Sequence, residues 1–231
     1  MVYPSHYSTG LYGFPRPIAK PYEIVRLATS DAMERTRFVR DSANAWYQAQ
    51  KTAGKTDAQI KTYLATLDQW DRYDHDNDGN FNEPDGYIDH FQSVHAGEGE
   101  ETGGGAQGTD AIWSHRWYAY YSANGPDGAG PSNFGGVRVG GSNFWIGDYT
   151  IEPENGGVGV FTHEFGHDLG LPDLYDTSGG ENGTAFWTLM SSGSWMDDGL
   201  DTIGNKSSHM GAWEKFQLGW LNYEVAYAGV K

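Results

Sequence analysis

The chain has 231 residues, with 31 acidic against 15 basic side chains and a formal net charge of −16. That balance offers no basic surface for nucleic acid or an anionic membrane. With 38% hydrophobic and 15% aromatic residues, the chain has no apolar run approaching a membrane span and is too aromatic for a disordered acidic protein. Cysteine is absent, which excludes thiolate metal sites, cysteine nucleophiles and disulfides.

Residues 1–25 are rich in proline and aromatics and predict an irregular lead-in without a basic or apolar leader pattern, so any targeting signal has been removed or lies outside the chain. A capping box at Asp31 and Glu34 opens the first helix, whose apolar positions include Ala32, Val39, Ala43 and Trp46; Gly54 ends it. Thr56 with Gln59 opens a second helix, and Ile60, Tyr63, Leu64, Leu67 and Trp70 form one core-facing stripe. Residues 71–89 are acidic and turn-rich, and Tyr87, Ile88, Phe91 and Val94 suit a short strand. Glycine-rich loops then flank an aromatic cluster at 113–121. Residues 137–151 predict a bent or edge strand, and helical patterns return at 158–169 and 208–218.

The segment from Thr162 to Asp173 carries the chemistry. On a helix, His163 and His167 share one face, and two imidazoles at that spacing suit Zn²⁺. Glu164 is turned about 100° away, where it can take a proton from water without ligating. Gly170 ends the helix in a left-handed turn, Pro172 prevents its continuation, and Asp173 stands where a third ligand is needed. The pattern His-Glu-x-x-His-x-x-Gly-x-x-Asp resembles the metzincin signature, with Asp in place of the last His, and Met190 follows at a distance suited to a methionine turn. A ligand set closed by a later Glu is disfavoured, because Glu181 is the only Glu between Asp173 and Glu214. Asp168 and Asp176 are lesser ligand candidates.

A second metal pattern precedes it. Asp74, Asp76, Asp78, Gly79, Asn80 and Asp85 fall at EF-hand loop positions 1, 3, 5, 6, 7 and 12, and Asp89 can complete the oxygen shell. So many carboxylates in one turn point to Ca²⁺.

The runs HEFGHDLGLPDLYD (163–176), FWTLMSSG (186–193), IWSHRW (112–117), HAGEG (95–99) and AWEKFQLGW (212–220) together resemble the immune inhibitor A family of secreted bacterial metallopeptidases. The resemblance implies an α+β, zincin-like (metzincin-like) peptidase domain with a small upper sheet, an active-site helix and a lower C-terminal subdomain with the methionine turn. It also implies zinc at His163, His167 and Asp173, Glu164 as catalytic base and acid, structural calcium, protein substrates and secretion. One catalytic domain over 1–231 is expected, its upper part reaching about residue 170 and its lower part spanning 171–231. Family members carry further strands ahead of the first helix, so this chain is either truncated at its N-terminus or reduced in its upper part.

His209 and Tyr175 are candidates for a transition-state hydrogen-bond donor, whereas His95 and His115 read as packed histidines. Two other functions compete: a catalytically silent calcium-dependent adhesion module on the same scaffold, and a zinc hydrolase of non-peptide amides. The intact Glu164 speaks against the first and the shared family segments against the second.

Overall fold

Helix α1 (Ala32–Thr52) ends where Gly54 takes φ +82°, a left-handed turn that only glycine adopts freely. Its buried face is Phe38, Val39, Ser42, Ala43 and Tyr47. In this computed structural model the described residues are 32–180, 182–199, 203–227 and 229, with side chains from residue 36 onward, so the expected cap at Asp31 and Glu34 lies outside them. The second capping box forms as expected: the Thr56 hydroxyl accepts the Gln59 N–H, and the Gln59 side chain accepts the Thr56 N–H at 2.9 Å.

Helix α2 (Asp57–Leu64) is shorter than its apolar stripe. The chain tightens into a 3₁₀ turn at Ala65–Leu67, which breaks the 3.6-residue period. Ile60 and Leu64 are buried as expected, while Tyr63, Leu67 and Trp70 remain exposed, Tyr63 stacked on Trp46.

The larger sheet is mixed. Strand β5 (Asp148–Pro153) is central, paired in parallel with β1 (Gln92–His95) and antiparallel with β2 (His115–Tyr118). All six β5 residues are buried, so both faces of the strand are covered. Its buried Asp148 accepts from the Tyr73 hydroxyl at 2.5 Å and from Arg116. Strands β3 (Val137–Arg138) and β4 (Trp145–Ile146) form a separate hairpin. The single bent strand expected over 137–151 is therefore three short ones, divided at the glycine-containing turn 139–144 and at Gly147. The strand expected around Tyr87 begins only at Gln92; Tyr87 makes one isolated bridge to Trp145.

By internal contacts the chain divides at Gly156/Gly157. Helix α3 (Val158–Asp168) falls in the second of these units. Gly157 caps it, Gly159 N–H donates to the Gly204 carbonyl at 2.8 Å, and the Ser192–Trp195 turn packs against it. Helix α4 (Ala212–Gln217) starts after Gly211 and stops before Gly219, which has φ +69°, so it is shorter than the expected 208–218.

Candidate metal centre

Helix α3 leaves its last turn through Gly170, whose φ of +95° is the left-handed exit the sequence calls for. The Leu171 N–H donates to Gly166 O at 3.0 Å, and the Leu174 N–H to Met190 O at 2.7 Å. These bonds bring Asp173 back over the helix. His163 Nε2 and His167 Nε2 lie 3.1 Å apart, and Asp173 Oδ1 is 3.2 Å from each.

The opposite edge of each ring is already committed. His163 Nδ1 lies 2.8 Å from the Leu189 carbonyl, and His167 Nδ1 lies 2.7 Å from the Leu171 carbonyl. A carbonyl only accepts, so in the neutral rings the protons sit on Nδ1 and the Nε2 lone pairs face inward. Asp173 Oδ1 is buried without a hydrogen-bond partner. Three lone pairs therefore converge on one point, a repulsive arrangement unless a cation lies there. The spacings fit zinc, for which bonds of 2.0–2.1 Å set tetrahedral donor separations of about 3.3–3.4 Å.

The electrostatics agree. Burial pushes the Asp173 carboxyl up, but the two imidazoles outweigh it and hold the group below the usual carboxylate range. Burial works against charge on His167, yet Asp173 and Glu164 raise its pKa. Glu164 sits on the same helix and is buried. The Tyr175 hydroxyl is pushed up to about 12, first by burial and then by the charges of Asp173 and Glu164. Asp168 is buried on α3 outside this cluster, and Asp176 is turned into its own loop, accepting the Ser178 N–H at 2.9 Å. His209 is exposed ahead of α4, and its carbonyl accepts the Leu189 N–H at 3.3 Å.

Beneath the helix, Met190 is fully buried. A Cβ on Gly166 would lie 2.5 Å from Met190 Sδ, so only glycine allows this approach. Gly166→Ala is expected to destabilise the domain by about 1–3 kcal/mol through overpacking, read as a lowered midpoint in urea. Nothing in the residue pattern marks the carbonyls that orient the two rings, nor the burial of Glu214, which accepts a hydrogen bond from the Thr188 hydroxyl, one residue before Leu189. Backbone acceptors have no residue signature.

The acidic turn forms a chain of side-chain-to-backbone bonds. Asp74 Oδ1 accepts the Gly79 N–H at 3.0 Å, Asp76 Oδ1 the Asp78 N–H at 3.2 Å and Asp78 Oδ1 the Asn80 N–H at 2.7 Å. Carboxylates of Asp76, Asp78 and Glu83 gather within metal-ligand reach, as do those of Asp71, Asp74 and Asp76. Asn80 directs its side-chain amide to Glu83 at 2.7 Å. Two expected members stand elsewhere. Asp85 groups with Asp71 and His75, because its own N–H and that of Gly86 are held by Asp68 at 3.0 and 3.1 Å. Asp89 accepts the Gln69 and Trp70 N–H groups at 3.0 and 3.1 Å, which turns it back toward the end of α2.

The immune inhibitor A peptidase M6 catalytic-domain profile matches residues 24–221. The chain belongs to this family. The chain is 35% identical to a pre-pro-metalloprotease PrtV of Vibrio cholerae serotype O1 over 258 aligned positions, covering 96% of the chain and 27% of that protein. It is 48% identical to immune inhibitor A of Bacillus thuringiensis subsp. alesti over 143 positions, covering 57% of the chain and 19% of that protein. The chain thus spans about a quarter or less of these relatives' length. The matched part of that family is its peptidase catalytic domain, and among the described residues no helix is long and apolar enough to cross a membrane.

Proposed function

We propose that this domain is a zinc endopeptidase of the metzincin layout, acting on protein substrates outside the cell, with His163, His167 and Asp173 as ligands. The single observation that carries this reading is the inward triangle of two Nε2 atoms and one carboxylate oxygen, spaced at 3.1–3.2 Å. Bound zinc supplies Lewis acidity, polarising a peptide carbonyl and bringing the pKa of a water to about 7. Glu164 takes a proton from the attacking water and passes it to the leaving amine. Tyr175, half-exposed two residues past Asp173 and with its hydroxyl pushed up to about 12, keeps its proton at neutral pH and donates to the oxygen on which negative charge develops. Met190 serves as the methionine-turn residue, its side chain packed under the helix at Gly166. Residues 1–231 then act as one catalytic domain.

Casein hydrolysis by the purified domain tests this reading. Activity is expected to vanish with o-phenanthroline and to return with added Zn²⁺. Hydrolysis indifferent to the chelator, or an intact zinc-loaded domain that binds protein but cleaves none, would overturn it. The latter result would favour the silent adhesion module.

Calcium at Asp74, Asp76 and Asp78, with Glu83 and Asn80 beside them, adds stability by mass action, because the folded turn gathers charges that repel one another without a cation. At free calcium ~100 times the dissociation constant the gain is about 2.7 kcal/mol. EGTA is expected to lower Tm and protease resistance, and readdition of Ca²⁺ to restore both. An unchanged melting curve after verified calcium removal would exclude the ion from this turn.

A further inference from the structure

We propose that Asp71, His75 and Asp85 form a second transition-metal site, made of other residues than the His163–His167–Asp173 triangle and bordering the acidic turn, with whose Asp74 and Asp76 it shares Asp71. The His75 side chain is 3% exposed, with Nδ1 3.1 Å from Asp85 Oδ2 and 3.7 Å from Asp71 Oδ1. Neither approach is a hydrogen bond: Asp71 Oδ1 and both His75 nitrogens are buried without one. An imidazolium in this position would donate to one of the two oxygens. A neutral ring presenting its Nδ1 lone pair to them is repelled. A divalent cation shared by the three atoms removes both difficulties.

The local chain builds this cradle. Each carboxylate has one oxygen pinned by a backbone amide and the other turned toward the ring. Asp71 Oδ2 accepts the His75 N–H at 2.7 Å, and Asp85 Oδ1 accepts the Tyr87 N–H at 2.8 Å. The ring is wedged among Phe134, Tyr73 and Tyr87, with centroid separations of 4.2, 5.6 and 5.4 Å, so it cannot swing out to find another partner. Beside His75 and Asp85 a cavity of 20 Å³ opens, enough for one water as a further ligand.

The donor set selects the class of ion. One imidazole with two carboxylate oxygens suits Zn²⁺, Co²⁺ or Mn²⁺, whereas Ca²⁺ seeks six to eight oxygens. The observed separations bracket the edges of a tetrahedron around a first-row ion, about 3.3–3.4 Å for zinc. The two metal patterns therefore share a stretch of chain yet differ in chemistry: exposed oxygens in the turn, a buried nitrogen beneath it.

The test uses the whole chain, stripped of metal and kept in millimolar Ca²⁺. Titration with Zn²⁺, followed by gel filtration and elemental analysis, is expected to give two bound equivalents, with His75→Phe retaining one. In a His163→Ala/His167→Ala background, Co²⁺ is expected to bind at one equivalent with a visible d–d band, and Asp85→Asn to weaken that binding at least tenfold. Asp85→Asn preserves side-chain size, so it answers the question if His75→Phe does not fold. One zinc equivalent in the parent would overturn the proposal. So would displacement of the second by millimolar Ca²⁺, or a second equivalent that survives both substitutions.

Discussion

Glu164→Gln is expected to hold zinc at the parental level while cleaving casein at least ~100-fold more slowly, the range over which a positioned acid–base group accelerates a reaction. The separation follows from the helix. His163 and His167 project from one face of α3 and are oriented by the Leu189 and Leu171 carbonyls, none of which the substitution touches. Glutamine keeps the size of the buried side chain but cannot take a proton from water. Zinc content by elemental analysis alongside initial cleavage rates checks the claim. Parental turnover would remove Glu164 from the assigned role, and lost metal would make it a structural group instead.

The second large effect concerns the ion itself. Asp173→Ala removes the one anionic member of the triangle and leaves two imidazoles to hold the metal. The loss of zinc affinity is expected to exceed the roughly 10–100-fold seen when an outer partner of a metal ligand is removed. A competition titration against a chromophoric chelator measures it, and parental affinity would take Asp173 out of the ligand set. Asp173→His, which restores the commoner metzincin donor, is expected to recover part of the binding.

Much of this centre could be read in advance because its signals are local. The i, i+4 histidines, the glycine that must turn left-handed and the aspartate three residues beyond it act within one short segment, where spacing in sequence translates directly into spacing in the site. The two capping-box residues Thr56 and Gln59 were legible for the same reason. What escaped depends on distant pairing. The stretch 137–151 looked like one strand because alternation does not reveal which partner each residue finds; Val137 and Arg138 pair with Ile146 and Trp145, while Asp148 onward pairs with β1 and β2. Leu67 and Trp70 read as core from their period, yet the tightened turn at Ala65–Leu67 takes them off the stripe, while Tyr63, still on α2, stays exposed and stacks on Trp46. Asp85 matched the twelfth position of a calcium loop by count alone. The hydrogen bonds from its own amide and that of Gly86 to Asp68, seventeen and eighteen residues back, set its direction instead.

The adjoining carbonyls of Leu189 and Met190 reach two different parts of the triangle: one orients His163, and the other receives the Leu174 N–H just after Asp173. A single dipeptide thus acts as a gauge that fixes how wide the cradle opens before any ion arrives. Swapping zinc for a slightly larger d-block cation would then lengthen the ion's own bonds and leave the backbone where it is, so tolerance for foreign metals is governed by the stiffness of this brace.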